Sequence, residues 1–271
     1  MPFAHLNLCL ILVLGGVATQ ARSAGVLSLP MPPLPPETST GAERNYVSIP
    51  AVAATERSTR WWQLRHREKV LQARNGEAQM IMIGDSLVHN FEKRGKQLWY
   101  LYFGRYRPLN LGSNSDRTQN VLWRLQNGEL DGVKARVAVI MIGTNNGGIS
   151  FDPPSHTVAG VQAIIREIHK HNADTKVLLL GVFPRGPLPR HKLRRLNSVV
   201  NKLLPALADN KSVFYMDISD TFLDKNRILH RSVMFDFLHP TVHGYQLWAE
   251  AVSPMIMHLM GVNPLANINS H

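Results

Sequence analysis

The sequence predicts an α/β protein, a three-layer α/β/α sandwich around a parallel sheet. Three observations lead there. Short, continuous apolar runs recur along the chain, the pattern of strands covered by helices on both faces. These runs alternate with longer segments whose apolar residues fall three and four apart, and strand alternating with helix marks parallel crossover units. Finally, 271 residues, 44% hydrophobic and 18% charged, can bury one sizeable core and exclude disorder over the whole chain.

The elements follow in order. Residues 6–18 form a short apolar stretch, and Gly16-Val17-Ala18 or Thr19-Gln20-Ala21 fits a small-x-small cleavage site. Residues 1–21 therefore read as a secretory signal peptide, with the α-amino group and His5 standing where Lys or Arg is usual. The stretch is too short to cross a bilayer, which needs about 20 apolar residues. Residues 22–58 hold Pro30, Pro32, Pro33, Pro35 and Pro36 without helical or strand period, and read as a stiff Pro-rich linker. A domain over 59–262 opens with an amphipathic helix at Arg60–Arg74, carrying Trp61, Trp62, Val70 and Leu71. Strands are expected at 79–83, running into Gly84, then at 107–111, 136–142, 176–183 and 213–218. Helices are expected at 117–127, 157–171, 190–208 and 243–260. Residues 263–271 are a C-terminal tail.

Charge limits the partners. Thirty Lys and Arg against 19 Asp and Glu give a formal charge of +11, which attracts anionic polymers and surfaces without choosing among them. No nucleic-acid motif accompanies it, so nucleic acid is not an expected partner. Arg190, Lys192, Arg194 and Arg195 read as a solvated helix face rather than a docking patch. The single Cys9 excludes a disulfide framework and any thiolate zinc cluster, and it leaves with the signal segment, which suits an oxidising compartment.

In open parallel sheets ligands bind beyond the carboxyl ends of the strands, so the residues there carry most information. The first strand ends in Gly84-Asp85-Ser86-Leu87, placing the Ser86 hydroxyl near the positive end of a following helix. A helix N-cap is the competing reading of Ser86. Asp85 reads as a residue that fixes the turn through backbone hydrogen bonds. Gly112 ends the second strand with an N–H that no side chain shields. The third strand ends in Gly143-Thr144-Asn145-Asn146-Gly147-Gly148, where the Asn145 amide can aim hydrogens at a developing oxyanion. Further on, Asp236 and His239 stand three apart. A loop can fold so that the carboxylate accepts the imidazole Nδ1–H and leaves Nε2 as a base. His239 and His243 have metal-like spacing, but no carboxylate or thiolate nearby completes a site, and no metal is assigned. Nucleophile, base, orienting carboxylate and N–H donors are the parts acyl transfer requires.

Gly84-Asp85-Ser86-Leu87, Gly112, Gly143-Thr144-Asn145 and Asp236-x-x-His239 resemble the four blocks of the SGNH hydrolase (GDSL esterase/lipase) superfamily. Leu109-Asn110-Leu111-Gly112, the run 121–130, Phe183-Pro184-Arg185-Gly186 and 234–239 further resemble the catalytic α subunits of platelet-activating-factor acetylhydrolase Ib. The resemblance covers about residues 60–260. It implies a flavodoxin-like sheet of five parallel strands and hydrolysis of short acyl esters, acetyl above all. Ser86 would be the nucleophile, His239 the base and Asp236 its partner, with an oxyanion hole from the Ser86 and Gly112 N–H groups and the Asn145 side chain. It implies no cofactor. In block two the chain departs from its relatives, with Gly112-Ser113-Asn114-Ser115-Asp116-Arg117 in place of a glycine-richer loop, and Arg117 is expected at the substrate mouth. Trp62 and His66 on the first helix read as packing.

The reading is an exported, secreted or periplasmic serine esterase acting on acetylated carbohydrate. Its alternatives are a phospholipid acetylhydrolase or lysophospholipase, and a binding protein on the same scaffold. Intact Ser86, Asp236 and His239 weigh against the last, since function lives in the site and not in the fold. Expected partners are a small acyl ester, an anionic surface met peripherally and a second copy of the chain.

Overall fold

The structure, a computed structural model, describes residues 50–262. The signal segment, Cys9, most of the Pro-rich linker and the C-terminal tail lie outside the described residues. Five parallel strands, β1 (Met80–Gly84), β2 (Pro108–Gly112), β3 (Val137–Met141), β4 (Lys176–Leu180) and β5 (Val213–Met216), form one sheet in the order β2-β1-β3-β4-β5. The pairing is in register from Met80↔Pro108 to Gly84↔Gly112 on one side of β1 and from Met80↔Val137 to Gly84↔Met141 on the other. Strand order therefore reverses beside β1, and the carboxyl ends of β1 and β3 border the crevice where such sheets bind ligands.

Among the described residues seven α-helices flank the sheet: α1 (Arg60–Arg74), α2 (Ser86–His89), α3 (Lys96–Phe103), α4 (Thr118–Arg124), α5 (Pro154–His171), α6 (Lys192–Leu203) and α7 (Val242–Leu259). The two-residue period of the strands sorts the core into two layers. Ile81, Ile83, Leu109, Leu111, Ala138, Ile140, Val177 and Leu179 meet Val121 and Leu122 of α4, Val161, Ile164 and Ile168 of α5 and Val200 of α6. Met80, Met82, Val137, Val139, Met141, Leu178 and Leu180 meet Trp99 and Phe103 of α3 and Trp248, Val252 and Ile256 of α7. The expected three layers and parallel sheet are thus present.

Several boundaries differ from the expectation. Pairing in β4 stops at Leu180, and the helix read over 190–208 ends at Leu203 in a 3₁₀ turn, Leu204–Leu207, where Pro205 has no N–H to continue it. Residues 50–58 are part of the domain rather than linker. Ala51 is fully buried, its carbonyl accepts from Thr118 Oγ1 at 2.9 Å, and Thr55 exchanges backbone and side-chain hydrogen bonds with Gln119 and Asn120.

Candidate active site

Ser86 is the first residue of α2, directly beyond β1. Asp85 caps the helix: its Oδ1 accepts the Leu87 N–H at 2.9 Å. Ser86 is therefore not the N-cap, and its own N–H has no hydrogen-bond partner among the described residues. Asp85 is fully buried and its Oδ2 is unpartnered. Burial pushes its carboxyl up to about 7, against the pull of the Leu87 N–H.

His239 arrives from the other end of the chain, 153 residues from Ser86, and its Nε2 stands 2.9 Å from Ser86 Oγ. Its Nδ1 lies 2.7 Å from Asp236 Oδ2, so a proton on Nδ1 leaves Nε2 to accept from the hydroxyl. Asp236 Oδ1 accepts the backbone N–H groups of Leu238 at 3.1 Å and His239 at 2.7 Å. Partial burial raises the Asp236 carboxyl, but these N–H groups and the imidazole outweigh it and hold it below its ordinary value. The loop is held open in this shape by Phe237, which has a φ of +61°. The Gly186 N–H donates to the Phe237 carbonyl at 2.8 Å, and Phe235 stacks on His239 with ring centroids 5.9 Å apart. Ser86, Asp236 and His239, expected from sequence alone to act together, are thus in one hydrogen-bonded chain. His243 lies one turn along, exposed on α7, and among the described residues no three His, Cys, Asp or Glu side chains gather in a metal-ligating cluster. His89, three residues after Ser86, is pushed down to about 4 by burial and by the Arg65 and Lys93 charges.

Asn145 is buried at the carboxyl end of β3. Its Nδ2 donates one hydrogen to the Asp116 carbonyl at 3.0 Å, which leaves the second amide hydrogen to give. Asn146 is structural: its Oδ1 accepts the Thr118 N–H at 3.0 Å and its Nδ2 donates to Asp152 at 2.9 Å.

The expectation for Gly112 is corrected. Its N–H donates to Asn110 Oδ1 at 2.9 Å, so it is not available to an oxyanion. A glycine is needed there for another reason: a Cβ would collide with the His89 N and Val88, where β2 packs against α2. A candidate donor that sequence reasoning missed lies three residues on. Ser115 is exposed, holds a φ of +62°, and among the described residues its N–H has no hydrogen-bond partner. It precedes Asp116, whose carbonyl accepts from Asn145, so the Asn145 amide is tied to the turn that carries Ser115. The sequence signal was the polar run Ser113-Asn114-Ser115 between the end of β2 and Asp116.

That turn rests on a buried ionic network. Asp116 accepts from Trp62 Nε1 at 2.7 Å, Arg57 at 3.1 Å and Arg124 Nε at 2.8 Å. Arg124 also pairs with Glu129, which meets His66 Nδ1 at 3.0 Å, and donates to the Leu111 carbonyl at 3.0 Å. Burial disfavours the guanidinium charge, but the Glu129 and Asp116 carboxylates more than restore it. Trp62 and His66 do pack, with rings 5.9 Å apart, yet each also carries a hydrogen bond in this network. Arg194 is not part of a solvated face: it is buried and donates to the carbonyls of Arg185, Gly186 and Arg227. A cavity of about 490 Å³ lined by Asn201, Asp217, Ser219 and Arg227 touches neither Ser86 nor His239.

Comparison with known proteins gives the family and the fold. The family model for GDSL-like lipase/acylhydrolase matches residues 82–247. The chain is 32% identical over 223 residues to platelet-activating factor acetylhydrolase IB subunit alpha2 of Rattus norvegicus, covering 82% of this chain and 95% of that one. Among solved structures, a GDSL-like lipase from Bacteroides thetaiotaomicron superposes with a TM-score of 0.60 at 16% identity, covering 73% of this chain and 97% of the other. An acetyl xylan esterase from Geobacillus stearothermophilus gives 0.52 at 16% identity, covering 69% and 95%.

Proposed function

This chain belongs to the GDSL-like lipase/acylhydrolase family and is a carboxylic ester hydrolase, and from that premise we propose that it removes short acyl groups, chiefly acetyl, from carbohydrate esters through an acyl-Ser86 intermediate. The observation that carries the mechanism is the unbroken chain Ser86 Oγ to His239 Nε2 at 2.9 Å and His239 Nδ1 to Asp236 at 2.7 Å. On this reading Ser86 Oγ attacks the acyl carbon as its proton passes to Nε2, and Asp236 stabilises the imidazolium. The carbonyl electron pair moves to oxygen, where the N–H of Ser86, the free Asn145 amide hydrogen and the N–H of Ser115 receive it. Collapse breaks the bond to the alcohol, which leaves with the proton from Nε2. Water, deprotonated by the same imidazole, then attacks the acyl carbon, and release of the acid returns Ser86 to its starting state.

The preference for carbohydrate rests on two supports. One is the signal-like segment at 1–21, which also leads us to propose export. The other is the likeness to folds whose known members include an acetyl xylan esterase. A second reading, a phospholipid acetylhydrolase, is favoured by exposed Ile149 and Phe151, which follow Asn145, and exposed Phe235 and Val242, on either side of His239, and by the name of the rat relative. A p-nitrophenyl ester series from acetate to palmitate, with a fluorophosphonate probe, tests both. Activity confined to the shortest esters, labelling of the wild type and none of Ser86→Ala is the expected result. Equal labelling of both proteins overturns the acyl-enzyme, and a maximum at long chains moves the assignment to lipid.

A further inference from the structure

Three cations from three different elements reach the loop that follows Asn145. Arg185, beyond the carboxyl end of β4, lays its guanidinium against Gly148, where a Cβ would have to push it aside. Arg117, at the start of α4, donates to Ser150 Oγ at 2.6 Å. Lys192, at the start of α6, holds its Nζ 5.7 Å from the Phe151 ring centroid. Among the described residues none of the three pairs with a carboxylate.

Arg185 is the most telling of them. A guanidinium has five N–H donors in a planar fork. This one is half-buried, yet among the described residues its side chain makes a single hydrogen bond, to the Thr144 carbonyl at 3.4 Å. It lies against the segment that carries Asn145, bonding the carbonyl of the residue before it and lying beside Gly148, and the charges of Asp85 and Asp236 both act on it. Neither is hydrogen-bonded to it: Asp236 accepts from His239 and two backbone N–H groups, and Asp85 accepts the Leu87 N–H through Oδ1 while its Oδ2 makes no hydrogen bond. Its backbone is fixed by buried Arg194, which grips the carbonyls of Arg185 and Gly186. A rigidly based, nearly unspent fork is suited to a two-oxygen anion, carboxylate or phosphate.

We propose that Arg185, with Arg117 and Lys192 at the rim, binds an anionic group on the alcohol part of the ester substrate. This rests on the esterase reading above, because a short acyl group leaves the alcohol as the only place for the anion. The shared chemistry is an oxyanion next to an acetylated hydroxyl, as in an acidic sugar or a phosphoglycerol.

The test compares three acetyl esters on the full chain: an acetylated methyl glucoside, the corresponding methyl glucuronide, and acetylglycerol 3-phosphate. At low salt at least one anionic ester should exceed the neutral one by about tenfold in kcat/KM, an advantage that shrinks between about 0.02 and 0.5 M salt. Arg185→Gln should cut that ratio by about tenfold, mainly through KM, with Arg185→Lys recovering part of it. Preference for the glucuronide identifies an acidic carbohydrate, and preference for the phosphate a lipid-type headgroup. Turnover of the neutral ester with no anionic preference overturns this inference and leaves the esterase standing. No turnover of any ester, with no acylation of Ser86, overturns both. Should Arg185→Gln fail to fold, an unchanged ratio in the Arg117→Gln, Lys192→Gln double variant overturns the inference as well.

Discussion

Asp85 sits beside the proposed nucleophile with no solvent exposure, one oxygen bonded and the other unpartnered, and its carboxyl is raised from 3.8 to about 7 by burial. The folded protein therefore holds a proton that the unfolded chain releases, and stability falls as pH rises from the unfolded value through the folded one. At about 1.36 kcal/mol per unit the loss totals about 4 kcal/mol, of which about 2.5 falls between pH 5 and pH 8. Asp85→Asn keeps an oxygen to accept the Leu87 N–H and cannot ionise. It carries its own cost of about 1–3 kcal/mol for a buried amide nitrogen without a partner, but that cost does not vary with pH. The difference between variant and wild type, measured by urea unfolding at pH 5, 6, 7 and 8, should thus move in favour of the variant by about 2.5 kcal/mol across the series. A difference that stays flat to within about 0.5 kcal/mol would show that Asp85 is ionised in the fold, and that an unmapped partner satisfies Oδ2.

Two further expectations concern the relay and the oxyanion site. Asp236→Asn retains the shape of the loop but offers no carboxylate to the imidazole, so kcat on p-nitrophenyl acetate should drop by about 10³–10⁴-fold at neutral pH, and a loss under tenfold would remove Asp236 from the relay. Asn145→Ala removes a donor worth about 2.7–4 kcal/mol to the transition state. Its kcat should fall about 10²–10³-fold with KM nearly unchanged, whereas a rise in KM alone would make Asn145 a substrate-positioning group.

The strands and long helices were legible because burial writes itself into composition: apolar runs such as 136–142 have one structural use, and the apolar spacing of α5 and α7 another. The short helices were not. Ser86–His89 is a single turn, below any period, and Lys96–Phe103 carries aromatics on several sides because α3 packs Trp99 and Phe103 on the sheet while Tyr100 and Leu101 remain exposed. Residues 50–58 looked like linker because nothing in their composition records that a single buried Ala51 and a few backbone hydrogen bonds dock them.

The site divides the same way. Side-chain candidates show in sequence, since only certain residue types can be nucleophile, base or orienting acid, and Ser86, His239 and Asp236, which the structure joins by hydrogen bonds, stand out by type and order. Backbone donors do not, because every residue but proline has an N–H and only geometry says where it points. Gly112 looked suitable for lacking a side chain, yet its N–H is spent on Asn110, a polar residue in an otherwise apolar strand. The same polar exceptions reveal why the turn at Ser115 can hold a left-handed serine. Asp116 anchors it from below through Trp62, Arg57 and Arg124, while Asn145 ties its carbonyl from the side. Strain of this kind persists only where surrounding contacts over-determine the backbone. The buried charges at 116, 124 and 129 therefore belong to the site's geometry as much as to the core, and they link α1, through Trp62 and His66, to the place where the oxyanion would form.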